Sequence, residues 1–471
     1  MAAKNLNDLI HYQNIDSLGR AYRTHELSPI EVINHFLKRI NEIDSQLKSY
    51  AAIMSDSAKK SAEELTKELE SGVDRGPLHG IPIAVKDLCY TKGVETMGGT
   101  AVLQDFVPSF DSTVVNKLRD SGAIILGKLN LTEGAMGGYN PKRQVPRNPW
   151  NHNRWAGSSS SGSGAATAMG LCAGSLGSDT GGSIRFPSAA CGIVGLKPTY
   201  GRVSRYGVLD LAESLDHVGP MTRSVIDAAL VLQAIAGHDE SDPTTLRSDP
   251  LDLLEIRDTD LSGVSLGYDR DYASNEVDEE LAALVRDSLD VFESLGANIK
   301  PVSMPNIDEF LPAWKTICSA EAYNAHKEFF PDRREEYGPW FREWLETGYS
   351  VTANDYIEAS KVRSACNGLV RKAMGEVDAL ICPTTMSFPH YVDDSINYGP
   401  MDDRRGTSFQ RFTAPYDYNG YPTVSVPCGF SSEGMPGSLQ VVGKPLEEST
   451  ICKIANAYED ATEWSSHHPP E

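Results

Sequence analysis

The sequence predicts an α/β fold, in which a central mixed, mainly parallel sheet is flanked by helices on both faces. Three observations carry this expectation. Short, continuous apolar runs recur along the chain, stretches with helical apolar spacing separate them, and 40% of the 471 residues are hydrophobic, enough for a large buried core. Strands covered on both faces read as unbroken apolar runs rather than alternating ones, so the runs point to a central sheet.

The first element is helical. "SPIEVINHFLKRINEIDSQL" (28–47) opens with Ser28 as N-cap, Pro29 at the first helical position and Glu31 completing a capping box. Val32, Ile33, Phe36, Leu37, Ile40 and Ile43 then follow at helical spacing. Residues 1–75 therefore read as a helical layer of the core. The runs "GIPIAVKD" (80–87) and "GAIILGK" (122–128) are strands, and "SVIDAALVLQAIAG" (224–237) is a helix, so residues 76–237 form the main body. From 238 to about 262 the chain turns acidic and proline-bearing, as an exposed connection does. "GVSLGYD", the helix "DEELAALVRDSLDVFESLG" ending at Gly296, and a further short strand then make a βαβ-like insertion, and residues 238–360 are expected to cap the core. "VDALICPTT" (377–385), "YPTVSVPCG" (421–429) and "GSLQVVGKP" (437–445) return to the sheet within residues 361–471. No internal repeat is evident.

Composition narrows the function. The first twenty residues lack a basic start followed by an apolar run, and no stretch approaches the ~18 apolar residues of a membrane helix. A cytoplasmic protein with no membrane contact is expected. Eight cysteines lie far apart with no CxxC pair, the pattern of buried, reduced thiols. The eleven histidines form no HExxH and no close cluster with cysteine, so neither a metal nor another cofactor is expected. A formal net charge of −22 repels phosphate backbones and argues against direct nucleic-acid binding.

The most unusual stretch is "GSSSSGSGAATAMGLCAGSLGSDTGGSIR" (157–185), with eight glycines and eight serines. A flexible linker has such a composition, but Leu171, Cys172, Leu176, Asp179, Arg185 and the alanine-rich run "GAATAMG" have no place in one. A phosphate loop is a second reading. Neither GxGxxG nor GxxxxGK[ST] occurs, and the nearest approach, "GAIILGKL", has Leu129 where a hydroxyl is needed. Nucleophilic catalysis is the third. "TGGS" can present the backbone N–H groups of Thr180, Gly181, Gly182 and Ser183 to a developing oxyanion, with Ser183 as the nucleophile. No GxSxG elbow and no histidine with suitable context supply a base. Lys86, at the end of an apolar strand, can do so: burial lowers an amine's pKa from about 10.4 and frees the neutral form. Taken alone, Lys86 reads as a structural lysine paired with Asp87.

Together these residues closely resemble the amidase signature family of serine hydrolases. The resemblance rests on "GIPIAVKD", "GAIILGKLNLTEGAMGG", "RNPW", the whole stretch from Gly157 to "YGRVSRYGV", "SLDHVGPMTRSV", "DALICPTT" and "NGYPTVSVPCG". It covers most of the chain and is weakest between about 240 and 350. It implies a Ser–cisSer–Lys triad of Ser183, Ser159 and Lys86, with a cis Ser158–Ser159 bond. Ser183 attacks an amide carbonyl, Ser159 relays its proton to neutral Lys86, residues 180–183 form the oxyanion hole, and water cleaves the acyl-enzyme. The family usually has glycine at Ser158 and Ser161, which leaves Ser160 as an alternative relay. Asp179 and Arg185 are expected to fix the loop rather than touch substrate. By the same resemblance Met136, Gly137 and Tyr139 border the acyl pocket, and the aromatics of 300–350 either shape the leaving-group side or pack the core. The substrate implied is a small-molecule amide, carbamate, anilide or ester, and homodimers are frequent among relatives, although nothing in the sequence fixes an interface. One branch is the glutamine-hydrolysing subunit of a tRNA-dependent amidotransferase, which works with partner subunits. As aligned, that branch has an aspartate for the glutamine amino group where Gln410 stands, and an arginine-bearing motif that "EAYNAHKEFFPDRREEYGPWF" lacks. A stand-alone amidase is therefore expected, and the glutamine-hydrolysing subunit is the alternative.

Overall fold

The computed structural model describes residues 10–330, 332–401 and 407–470. Its strands are β1 (Tyr50–Ile53), β2 (Pro82–Lys86), β3 (Ile124–Leu129), β4 (Gly174–Asp179), β5 (Val194–Lys197), β6 (His217–Thr222), β7 (Ser265–Tyr268), β8 (Asn298–Pro301), β9 (Ala379–Pro383), β10 (Thr423–Phe430) and β11 (Pro436–Val442). They form one eleven-stranded sheet among the described residues, in the order β1-β3-β2-β4-β6-β5-β10-β11-β9-β7-β8. Every residue of β2, β3, β4, β5, β6, β9 and β11 is buried. Because successive side chains point to opposite faces, such strands are covered on both.

The sheet is mixed, as expected, but its balance is not. Parallel pairing is confined to β3-β2-β4 and β9-β7-β8, and the other six pairings are antiparallel. The physical reason is that double-sided burial makes a strand apolar throughout whatever the direction of its neighbour, so an apolar run carries no sign of polarity. The insertion after 262 is also placed differently from the expected cap. β7 and β8 pair in parallel across the helix Glu279–Ser294, and β7 pairs with β9, so this βαβ unit extends the sheet at its edge.

Local signals hold well at helix ends. The helix Pro29–Leu47 has the Ser28–Glu31 capping box in both directions. The helix Val225–Ile235 starts from Ser224, whose side chain accepts from the Asp227 amide. All eight cysteines are buried and free. No helix among the described residues is long and apolar enough to cross a membrane.

Candidate active site

The serine-glycine stretch is a packed part of the core. Every residue from 157 to 185 is buried except Ser158 and Ser183, which are half-buried. Its glycines mark close backbone approaches: a Cβ on Gly162, in the short helix Ser161–Ala168, would lie 2.5 Å from the carbonyl oxygens of Asn130 and Ser49. A linker has no such contacts.

β2 lies beside β4 in parallel, with Val85 opposite Leu176, and delivers Lys86 to the start of that helix. Lys86 Nζ lies 2.6 Å from Ser159 Oγ and 2.8 Å from Ser178 Oγ. It is fully buried, and no carboxylate forms an ion pair with it among the described residues. Asp87, the partner the sequence offers it, faces Lys128 instead, with Nζ 3.1 Å from Oδ1. Burial pushes the Lys86 amine down to about 7, against weaker opposing fields from Cys89, Asp179 and Asp216. Lys197 is also buried and pushed down to about 7, yet its Nζ donates to the Pro198 carbonyl. Geometry, more than acidity, therefore sets Lys86 apart.

The Ser158–Ser159 peptide bond is cis. Ser159 is fully buried, and its carbonyl accepts from the Thr132 amide at 3.2 Å. Ser160 is used otherwise: its hydroxyl accepts from the Ser178 amide (3.2 Å) and donates to the Ser178 carbonyl (3.3 Å). Ser178, which sequence reasoning missed, thus supplies a second hydroxyl to Lys86 and anchors Ser160. Its one visible signal is its position in "GSDTGGS", five residues before Ser183.

The loop 180–184 is wrapped around the Asp179 carboxylate. Asp179 accepts from the amides of Gly182 (2.7 Å) and Ile184 (3.0 Å) and from Arg185 Nε (3.0 Å) and Nη2 (2.8 Å). Burial pushes this carboxyl up, but the Arg185 guanidinium beside it prevails and holds it well below the usual range. Arg185 also donates to Asp417 (2.8 Å), the Thr413 carbonyl (3.0 Å) and Gln440 (3.2 Å). Both residues are fully buried and fix the loop, as the sequence suggested. Among the described residues the amides of Gly181 and Ser183 bond to no protein acceptor, whereas that of Gly182 is committed to Asp179. Ser183 Oγ likewise makes no hydrogen bond there, so the leg from Ser183 to Ser159 is not closed.

Thr180 is held from both sides. Its hydroxyl donates to Asp216 at 2.5 Å, and its carbonyl accepts from Trp314 Nε1 at 2.9 Å. A Cβ on Gly181 would stand 2.4 Å from the Trp314 ring and 3.1 Å from Gln410 Nε2, which puts both side chains against the loop. Trp314 comes from the helix Leu311–His326, and its ring lies 6.0 Å from that of Trp344, which stacks on Trp340 at 5.7 Å; both belong to the helix Pro339–Ser350. The aromatics of the 300–350 segment therefore both pack together and roof the site. Trp340 covers Gly137 and Gly138, where a Cβ would come within 2.9 and 2.6 Å of it. Half-buried Met136 lies in the same loop, and buried Tyr139 donates its hydroxyl to Ser161 at 2.9 Å. A cavity of about 320 Å³ opens beside this loop, lined by Leu88, Leu103, Leu131, Ala135, Leu209 and Phe329 among others. Ser183 is not part of its wall.

A family model described as Amidase matches residues 31–452. "Putative amidase AmiD" of Mycobacterium tuberculosis is 37% identical over 464 residues, covering 98% of this chain and 97% of that protein. A glutamyl-tRNA(Gln) amidotransferase subunit of Staphylococcus haemolyticus is 36% identical over 484 residues, covering 97% of this chain and 98% of that protein. Among solved structures, the native peptide amidase of Stenotrophomonas maltophilia superposes with a TM-score of 0.85 at 29% identity, covering 98% of each chain.

Proposed function

The chain belongs to the Amidase family, and from that premise we propose that it hydrolyses the C–N bond of a small carboxylic amide, carbamate or anilide through Ser183, Ser159 and Lys86. The observation that carries this reading is the Lys86 amine, sealed from water, facing hydroxyls only, and 2.6 Å from Ser159. With Nζ neutral, the Ser159 hydroxyl donates to it and can accept the Ser183 proton as Ser183 Oγ attacks the carbonyl. The Ser183–Ser159 contact then closes in the substrate complex, a tightening common at catalytic hydrogen bonds. As the carbonyl oxygen takes up charge, the unengaged amides of Gly181 and Ser183 stabilise it, while Thr180 and Gly182 hold the loop in shape. The relay returns the proton to the leaving nitrogen, the amine departs, and water attacks the acyl-enzyme with the same hydroxyl and amine as base. Met136, Gly137 and Tyr139 border the acyl side of this site.

The alternative is the glutaminase component of an amidotransferase, favoured by the 36% identity to such a protein over nearly its whole length. Gln410 beside Gly181 weighs against it, since a neutral amide is a poor anchor for the ammonium group of free glutamine. Purified protein offered a panel of amides, carbamates, anilides and glutamine decides between the two. Hydrolysis of an anilide or carbamate without glutamine turnover supports the stand-alone amidase, and ammonia from glutamine supports the glutaminase. Ser183→Ala should lower kcat by at least ~10³-fold; equal turnover by the variant overturns both readings.

A further inference from the structure

One buried carboxylate joins the roof of the site to the loop beside Ser159. Glu133 is 1% exposed. Its Oε1 accepts from Asn140 Nδ2 and its Oε2 from the Gly338 amide, each at 2.7 Å, and the Thr100 hydroxyl bonds to it as well. The Asn140 amide is fixed in orientation, because Nδ2 also donates to the Glu336 carbonyl while Oδ1 accepts from the Lys142 amide. Gly338 immediately precedes the helix Pro339–Ser350, and a Cβ there would lie 2.6 Å from Glu133 Oε2. The same helix presses Phe341 onto Gly134, where a Cβ would meet the ring at 2.1 Å. On its other side the loop reaches Ser159 and its neighbour in the serine run, through the Thr132 amide on the Ser159 carbonyl and the Tyr139 hydroxyl on Ser161.

We propose that Glu133 is a positioning residue, whose carboxylate clamps the helix Pro339–Ser350 onto the loop 130–140 and so sets the placement of Ser159 and of the wall formed by Met136 and Gly137. This rests on the hydrolase reading above. Two of its three partners are N–H donors that cannot accept a proton, so the charged form suits the clamp and the neutral form can donate only to Thr100. Burial pushes Glu133 up to about 7, opposed by its hydrogen bonds and by Arg143. Tyr337 also faces its charge, with His326 Nδ1 3.0 Å behind the Tyr337 hydroxyl, while the Glu336 carboxylate turns outward to Arg333. The clamp therefore loosens as pH falls through the neutral range.

Glu133→Gln keeps the shape and removes the charge. The expected result is a kcat lower by about 10- to 100-fold per active site titrated with a serine-reactive fluorophosphonate, at little-changed KM. Faster hydrogen exchange at residues 130–140 and 338–342 should accompany it, and Glu133→Asp should recover part of both. A merely structural role lowers the melting temperature and leaves kcat per titrated site at the wild-type value, which overturns the proposal. Asn140→Ala removes one donor, moves both readouts the same way by less, and replaces Glu133→Gln if that variant does not fold. Should the wild-type protein hydrolyse no amide, the hydrolase reading fails, and exchange alone judges the clamp: faster exchange in the variant upholds it and unchanged exchange overturns it.

Discussion

Lys128 Nζ lies 3.1 Å from Asp87 Oδ1, with both side chains shut away from water. This ion pair takes the carboxylate next in sequence to Lys86 and leaves Lys86 with hydroxyls alone. Two buried lysines one strand apart thus have opposite duties, and their variants should separate them. Lys128→Met strands a buried carboxylate and should lower stability by about 3 kcal/mol, measured by denaturant unfolding. Loss of less than about 1 kcal/mol would show that the pair is dispensable.

Lys86→Met should do the reverse. The unfolded chain keeps a proton on this amine up to its ordinary 10.5, the folded chain only up to about 7. Below about pH 7 the protonated, buried amine costs folding its full penalty, and the penalty fades as pH rises towards 10.5. Lys86→Met is therefore expected to be inactive yet to melt above the wild type at pH 7, with a smaller advantage at pH 9.5. An inactive variant that melts lower at both values would contradict this placement of the amine.

In the proposed mechanism the same amine sets a pH limit on rate. As a base it works only when neutral, so kcat/KM should fall by about tenfold or more per pH unit below 7 and level off above it. A profile flat from pH 5 to 9 on a non-ionising amide would remove Lys86 from the mechanism.

Asp179→Asn keeps the size of the side chain but gives up the charge that the Arg185 guanidinium and three amides share. The loop should lose its fixed shape, with kcat down by about 100-fold and stability down by about 3 kcal/mol. Unfolding curves and turnover measured on the same preparation test this, and a variant with wild-type kcat would mean that the loop holds itself.

Gly181→Ala places a methyl group 2.4 Å from Trp314. Its turnover should fall by about tenfold or more, and Trp314→Phe should recover part of the loss in the double variant. Strictly additive effects would show that the ring does not press on the loop.

Much of this site is legible in residues 157–185, because glycine at a close approach and a serine among glycines are both local signals. Lys86 is legible as an ionisable group ending an apolar strand. Its partner is not: Asp87 lies next to it in sequence, yet adjacent residues of a strand point to opposite faces, and the lysine that meets Asp87 arrives on β3. Ser178 and Asp216 are hidden for the same reason, since neither has a sequence neighbour that explains it. Trp314 and Glu133 act through contacts from chain more than a hundred residues away. The fold class was readable from apolar runs and helix caps, whereas strand direction was not, because burial on both faces erases the alternation that would distinguish an edge from a centre.

The loop 180–184 is braced from far downstream. Lys86, Ser159 and Ser183 are all present once the first 183 residues have been made, but Arg185 takes its remaining partners from Thr413, Asp417 and Gln440. A chain that has passed only the middle of its message holds the Asp179–Arg185 pair but lacks the three groups that seat the other side of the guanidinium. The anchorage of this loop is therefore complete only when residues 413–440 are in place.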